Sequence, residues 1–168
     1  MNYILETERL KVRWLTVDDK KFIIELVNSP GWIKFIGDRN VKTEDQAKKY
    51  LENGPLKSYA DNGFGSALVE LKNEKIPIGM CGIIKRDHLE NPDIGFAFLP
   101  EFMGKGFAFE VAKATMIYAK EQLKLPKILA ITDPDNIHSI KLLEKIGMRF
   151  IKIFCFANDT EKLMLYST

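Results

Sequence analysis

The sequence predicts an α+β (mixed α/β) fold in one domain covering 1–168. Three observations carry this. Strand-like and helix-like segments interleave in the order β-α-α-β-β-β-α-β-α-β-β, which is not the regular alternation of a doubly wound sheet. The clearest helix, Gly104 to Leu123, sits between short β-rich runs. The chain has 168 residues, 46% of them hydrophobic, enough for one core without a disulfide or metal staple.

Each element has a local reason. From Arg9 to Leu15, Leu10, Val12 and Trp14 alternate with Lys11 and Arg13, as in a half-buried strand. Thr16 offers a cap, with Asp18 and Asp19 in the first turn. Phe22, Ile23, Leu26 and Val27 give the following helix an apolar stripe, and Ser29-Pro30-Gly31 is expected to end it. Thr43 and Gln46 fit a capping box. Ala47, Tyr50 and Leu51 form that helix's buried face, and Gly54-Pro55 is expected to interrupt it. Phe64–Leu71 and Ile78–Ile84 read as a hairpin around the polar Lys72-Asn73-Glu74-Lys75. A third strand spans Asp93–Leu99 and stops at Pro100. Lys127–Thr132 is β-rich. Asn136–Ile146 is helical and ends at Gly147, and Arg149–Phe156 with Lys162–Tyr166 closes the sheet.

Charge and cysteine usage narrow the function classes. With 25 basic and 23 acidic residues the net charge is +2, which argues against a dedicated nucleic-acid binder. Glu6 and Glu8 stand where a signal peptide needs an apolar core. The longest uncharged run, Ile76–Ile84, falls well short of a membrane span. A cytoplasmic protein with no membrane or nucleic-acid partner is expected. Cys81 and Cys155 form no CxxC pair, and with two histidines no metal spacing appears. The cysteines read as two reduced, buried thiols, with a disulfide between them left open by sequence.

The chemistry lies in two segments. After the third strand comes Leu99-Pro100-Glu101-Phe102-Met103-Gly104-Lys105-Gly106-Phe107-Ala108. Gly104 and Gly106 allow a sharp turn and close approach to a ligand. The first N–H groups of the helix that follows have no partner within it, so with its dipole they suit a phosphate, and Lys105 adds a positive charge. Leu99 stands where a Walker A loop needs glycine, and Phe109 where a full G-x-G-x-x-G needs one. Some way on comes Asn136-Ile137-His138-Ser139, followed by Leu142, Leu143 and Gly147-Met148.

Together these segments resemble the GCN5-related N-acetyltransferases. The turn is similar to their Q/R-x-x-G-x-G/A pyrophosphate loop, and the later segment to their N-x-x-A/S-x-x-L-x-x-x-x-G-F element. Arg9-Leu10-Lys11-Val12-Arg13 and Asp93-Ile94-Gly95-Phe96 resemble features of the ribosomal-protein alanine acetyltransferase type. The resemblance spans nearly the whole chain. It implies a central, mostly antiparallel twisted sheet of about seven strands, flanked by helices and splayed at the cofactor site.

It also implies direct transfer of an acetyl group from acetyl-CoA to a primary amine without a metal. The backbone of Phe98 and Leu99 would lie along pantetheine, Gly104, Lys105, Gly106, Phe107 and Ala108 would take the pyrophosphate, and Asn136 and Ser139 would bond pantetheine or phosphates. Asn136 also reads as a helix cap, and the two roles coexist. An N–H between Phe96 and Leu99 would serve as the oxyanion donor.

Asp93 is either a general base acting through water or a solvated acid at a strand start. Glu101 departs from the first loop position. Leu143 replaces the tyrosine that many members use as general acid, leaving water or Ser139 to assist the thiolate, whose pKa near ~8.5 permits departure. Trp32, Phe35 and Ile36 are core residues or line an acceptor pocket; His88 and His138 read as surface and Cys81 as core. The acceptor implied is a protein N-terminal α-amine, with a small amine (a polyamine, amino acid or aminoglycoside) and a non-catalytic acyl-CoA-binding role as alternatives. The expected assembly is a monomer or homodimer.

Overall fold

A single twisted sheet organises the computed structural model, which describes residues 3–157 and 159–168. Met1 and Asn2 of the expected domain, and Asn158 before the last strand, lie outside the described residues. The eight strands are β1 (Tyr3–Glu6), β2 (Leu10–Arg13), β3 (Ser66–Leu71), β4 (Pro77–Ile84), β5 (Asp93–Phe98), β6 (Leu129–Thr132), β7 (Arg149–Phe154) and β8 (Leu163–Ser167). Their spatial order is β1-β2-β3-β4-β5-β6-β8-β7. All neighbours are antiparallel except β5 and β6. The expected β3–β4 hairpin forms. β1 is the strand beyond the expected set; its short Tyr-Ile-Leu-Glu run lacks alternation and pairs with β2 through a bulge.

Among the described residues six α-helices flank the sheet: α1 (Lys20–Val27), α2 (Pro30–Phe35), α3 (Glu44–Leu51), α4 (Lys57–Asn62), α5 (Phe107–Glu121) and α6 (Ile137–Lys145). Both capping readings hold. Thr16 and Asp19 cap each other across a short 3-10 turn into α1, and Thr43 and Gln46 do so at α3. Of the two breaker readings one holds: α1 does end before Ser29-Pro30-Gly31, while Gly54-Pro55 does not end the helical path. Pro30 opens α2 instead of only closing α1, because proline's fixed φ and missing N–H suit a first helical turn. Gly54-Pro55 lies in a π-helical turn, Glu52–Leu56, that carries α3 on into α4; the wider turn accommodates a proline that would break an α-helix.

Alternation along β5 divides the interior. Ile94 and Phe98 pack with Phe107 and Val111 of α5. Ala97 packs on the other face with Met80, Leu68 and the buried sides of α1 and α3. In β4, a Cβ at Gly82 would lie 2.2 Å from the Gly65 carbonyl, so only glycine permits that approach.

The feature that positions the site is the β5-α5-β6 crossover. The two parallel strands pair only at Asp93↔Leu129, where the Leu129 N–H donates to the Pro92 carbonyl at 2.9 Å. Beyond that point they part, leaving a V open at their carboxyl ends. The N-termini of α5 and α6 follow those ends, the usual place for a ligand in parallel sheet.

Candidate functional site

Ladder geometry decides which strand groups are free. The Leu99 N–H donates to the Ile78 carbonyl at 2.9 Å, and the Leu99 carbonyl accepts from Phe102 N–H at 3.0 Å. Counting back by twos, Ala97, Gly95 and Asp93 bond toward β4. Ile94, Phe96 and Phe98 therefore face β6; Ile94 lies at the Asp93↔Leu129 bridge, and beyond it Phe96 and Phe98 turn their N–H and C=O groups to the open side, where β6 has diverged. Of the Phe98–Leu99 pair, only Phe98 has backbone groups on the open edge; Leu99 is committed to the fold.

The turn after β5 is built for exposed backbone. Pro100–Phe102 makes a 3-10 turn, Gly104 has φ +73°, and Gly106 has φ +81° as the cap residue of α5. Left-handed φ at both points is the reason for two glycines. Gly106 offers no side chain to cap the first N–H groups of α5, so they remain for a ligand. Arg9 holds this turn from β2's side. Its Nη1 donates to the Lys105 carbonyl at 3.0 Å, its Nε to Glu110 at 2.7 Å, and its guanidinium lies 4.4 Å from the Phe107 ring centre. Burial pushes the Glu110 carboxyl up, but hydrogen bonds from Thr7 and Arg9 outweigh it and hold its pKa below the usual range. The sequence gives no sign of this clamp, since its halves are separated by most of the chain.

Phe98, Gly104, Gly106, Phe107, Ala108, Asn136, Ser139 and Asp93 line one cleft, whereas Leu99 and Lys105 stand off its wall. Asn136 caps α6, its Oδ1 accepting from the Ser139 N–H at 3.2 Å, so the cap role is real and its amide nitrogen is left over. Leu143 is buried in the core beside Val111 and Met148. Glu101 is exposed.

Asp93 sits at the apex of the V. It is not a solvated acid: it is 1% exposed and faces the α1–α4 side. Arg86, from the β4–β5 connection, donates through Nε to both its carboxylate oxygens at 2.9 and 3.2 Å. Burial raises the Asp93 pKa above the ordinary carboxylate value, and Arg86 opposes this in part.

The remaining expectations divide. Trp32 is buried in the core and also lines the cleft; Phe35 and Ile36 line it too, with Ile36 exposed. His88 is exposed, with its ring 5.5 Å from Phe156, and His138 is exposed on the cleft rim. Cys81 is buried and bonded to Thr115, its thiol pushed up to about 12 by burial. Cys155 is exposed, which corrects the reading of two buried thiols, and both are free. Cys155 directly follows edge strand β7, which is solvent-facing through most of its length, so an apolar run there did not mean burial. Among the described residues no group of three potential metal ligands occurs, and no helix is long and apolar enough to cross a membrane.

Comparison with known proteins bears on this geometry. A model of the acetyltransferase (GNAT) domain matches residues 9–149. The uncharacterized N-acetyltransferase YnaD of Bacillus subtilis is 30% identical over 145 residues, covering 86% of this chain and 82% of that protein. A GNAT-family acetyltransferase from Bacillus anthracis superposes with a TM-score of 0.81 at 28% identity, covering 98% of this chain and 96% of the other. A spermidine N-acetyltransferase from Vibrio cholerae, in complex with CoA and spermine, shares the fold with a TM-score of 0.77 at 21% identity, covering 95% and 94%. The glycine turn, Asp93, Asn136 and Ser139 thus lie within the matched domain, and the chain belongs to the GNAT family of acetyltransferases, enzymes that act on an amine.

Proposed function

We propose that this enzyme takes its acetyl group from acetyl-CoA and delivers it to an α-amine, with a protein N-terminus as the acceptor. The observation that carries the reading is the V between β5 and β6, with a glycine turn at its mouth and a buried carboxylate at its apex.

The residues present fit CoA. Unpaired N–H groups at the start of α5 suit a pyrophosphate, and the open edge of β5 suits the amides of pantetheine. Acetyl-CoA supplies an activated thioester. Gly104 to Ala108 hold the phosphates, with Arg9 keeping the turn in shape. Phe98 bonds the arm, assisted by the free amide of Asn136. The Phe96 and Phe98 N–H groups, fixed by the ladder, are the donors for negative charge developing on the acyl oxygen.

Asp93 serves as general base through water. An α-amine titrates near ~8 and a lysine amine near ~10.4, so an α-amine is substantially neutral at pH 7–8 and a modest base suffices. The raised pKa of Asp93 strengthens it as a base. Ser139 lines the cleft beside Asn136, which supports a role for its hydroxyl in assisting the departing thiolate. The α-amine of a protein is favoured because the cleft is broad and open and because Arg9–Arg13 and Asp93–Phe96 resemble the ribosomal-protein type.

The test is a thiol-release assay with acetyl-CoA against N-terminal peptides, lysine-side-chain peptides and small amines. Turnover on free N-termini supports the proposal. Turnover confined to polyamines or aminoglycosides overturns the acceptor, and tight CoA binding with no turnover on any amine overturns the enzymatic role.

A further inference from the structure

The half of the cleft that holds Asp93 offers more donors than acceptors. Arg86 binds Asp93 through Nε alone, and among the described residues neither of its terminal nitrogens has a hydrogen-bond partner. Arg39, on the loop between α2 and α3, lines the same cleft. Among the described residues it makes no ion pair or hydrogen bond. Tyr50 of α3 lies within reach of the charge of both guanidiniums, and its hydroxyl has no protein partner among the described residues. Burial is the larger influence on that phenol and raises its pKa, so it remains a neutral donor. The Trp32 indole N–H, on the same lining, is buried without a partner. Of the carboxylates lining the cleft, Asp93 is held by Arg86 and Asp61 is paired with Lys57, while Asp87, Asp133, Asp159 and Glu161 form no ion pair with Arg39 or Arg86 among the described residues.

We propose that the acceptor amine carries a carboxylate, and that Arg39, Tyr50 and the two free nitrogens of Arg86 bind it and so set acceptor specificity. This rests on the acetyltransferase reading of the cleft, with the amine delivered toward Asp93. A planar guanidinium with two free N–H groups matches a carboxylate's two oxygens, and a neutral phenol adds a third donor. The same wall would repel a polyamine, whose charges are all positive. The carboxylate has two sources, a free amino acid or an acidic residue at a peptide's N-terminus.

The experiment compares matched amines in the thiol-release assay: alanine against alaninamide, peptides beginning Glu-Ala against Gln-Ala with amidated C-termini, and spermidine. The expected result is a kcat/KM higher by about 10-fold or more for the carboxylate member of at least one pair, carried in KM. The pair that responds identifies the source. Arg39→Ala should erase that preference by raising KM for the carboxylate member alone, Arg39→Lys should restore part of it, and Arg39→Glu should invert it. Equal rates within both pairs, a preference for spermidine, or an Arg39→Glu variant with unchanged preference would overturn the proposal. The same amines are also titrated calorimetrically into the CoA-saturated protein. Selective binding of the carboxylate members without turnover would sustain this proposal while refuting the catalytic reading, and binding without selectivity would refute it whatever the turnover.

Discussion

Substituting Gly106 by valine probes the glycine turn most directly. Gly106 holds φ +81° at the cap of α5, where an L-residue pays about 1–2 kcal/mol and a β-branched one is a genuine outlier. A Cβ there would also lie 3.3 Å from Arg9 Nη2, so the guanidinium that donates to the Lys105 carbonyl must shift. Two consequences can be separated. The free protein relaxes by letting the turn leave its left-handed conformation, so its melting temperature changes little. Binding must then restore the conformation, and a penalty of about 1–2 kcal/mol raises the CoA dissociation constant about 5- to 30-fold. Calorimetric titration of CoA into Gly106→Val, with circular dichroism to verify folding, measures this. Gly104→Ala is the control for strain without crowding: its φ is +73°, but a Cβ there meets nothing within 4 Å, so a smaller loss is expected. A folded Gly106→Val protein with wild-type CoA affinity would refute the assignment of this turn to the pyrophosphate.

Asp93→Asn should lower kcat by about 10²- to 10⁴-fold with CoA affinity unchanged; an unaltered rate and pH profile would remove Asp93 as base. The same variant should be no less stable than wild type at neutral pH. A carboxylate whose pKa is raised on folding contributes stability below its unfolded pKa and loses it as pH rises through the folded one. The asparagine's relative advantage should therefore shrink as denaturant melts move below the carboxylate range. Arg86→Gln removes the charge that lowers the Asp93 pKa, so the acid limb of the rate profile should move to higher pH; a fixed limb would mean another group is titrating. A thiol reagent should label one cysteine, Cys155, in the native protein and both after unfolding, because Cys81 is buried with its thiol raised to about 12; two fast native equivalents would contradict the packing of β4.

Local chemistry accounts for much of what was legible in the chain. Capping pairs such as Thr43 and Gln46 act over three residues, and the Gly104–Ala108 turn announces itself by needing glycine where φ is positive. Those signals are short-range, so they survive without knowledge of the fold. The breakers were incomplete signals for the same reason. Pro30 and Pro55 each restrict one turn, but whether a helix stops or continues depends on what the next turn packs against.

The sequence by itself determined most of the order of strands and helices, the family resemblance and the glycine turn, because each depends on residues near one another in the chain. Only the tertiary structure decided which backbone groups of β5 are free. Leu99 and Phe98 are adjacent residues, yet one bonds to Ile78 and the other faces the gap, and the difference comes from pairing with β4 and divergence from β6. Only it decided, too, that Arg9 braces the turn through Glu110 and that Asp93 is buried against Arg86. Those contacts join distant residues, and their strength depends on burial, which is a property of the assembled layers and not of any segment.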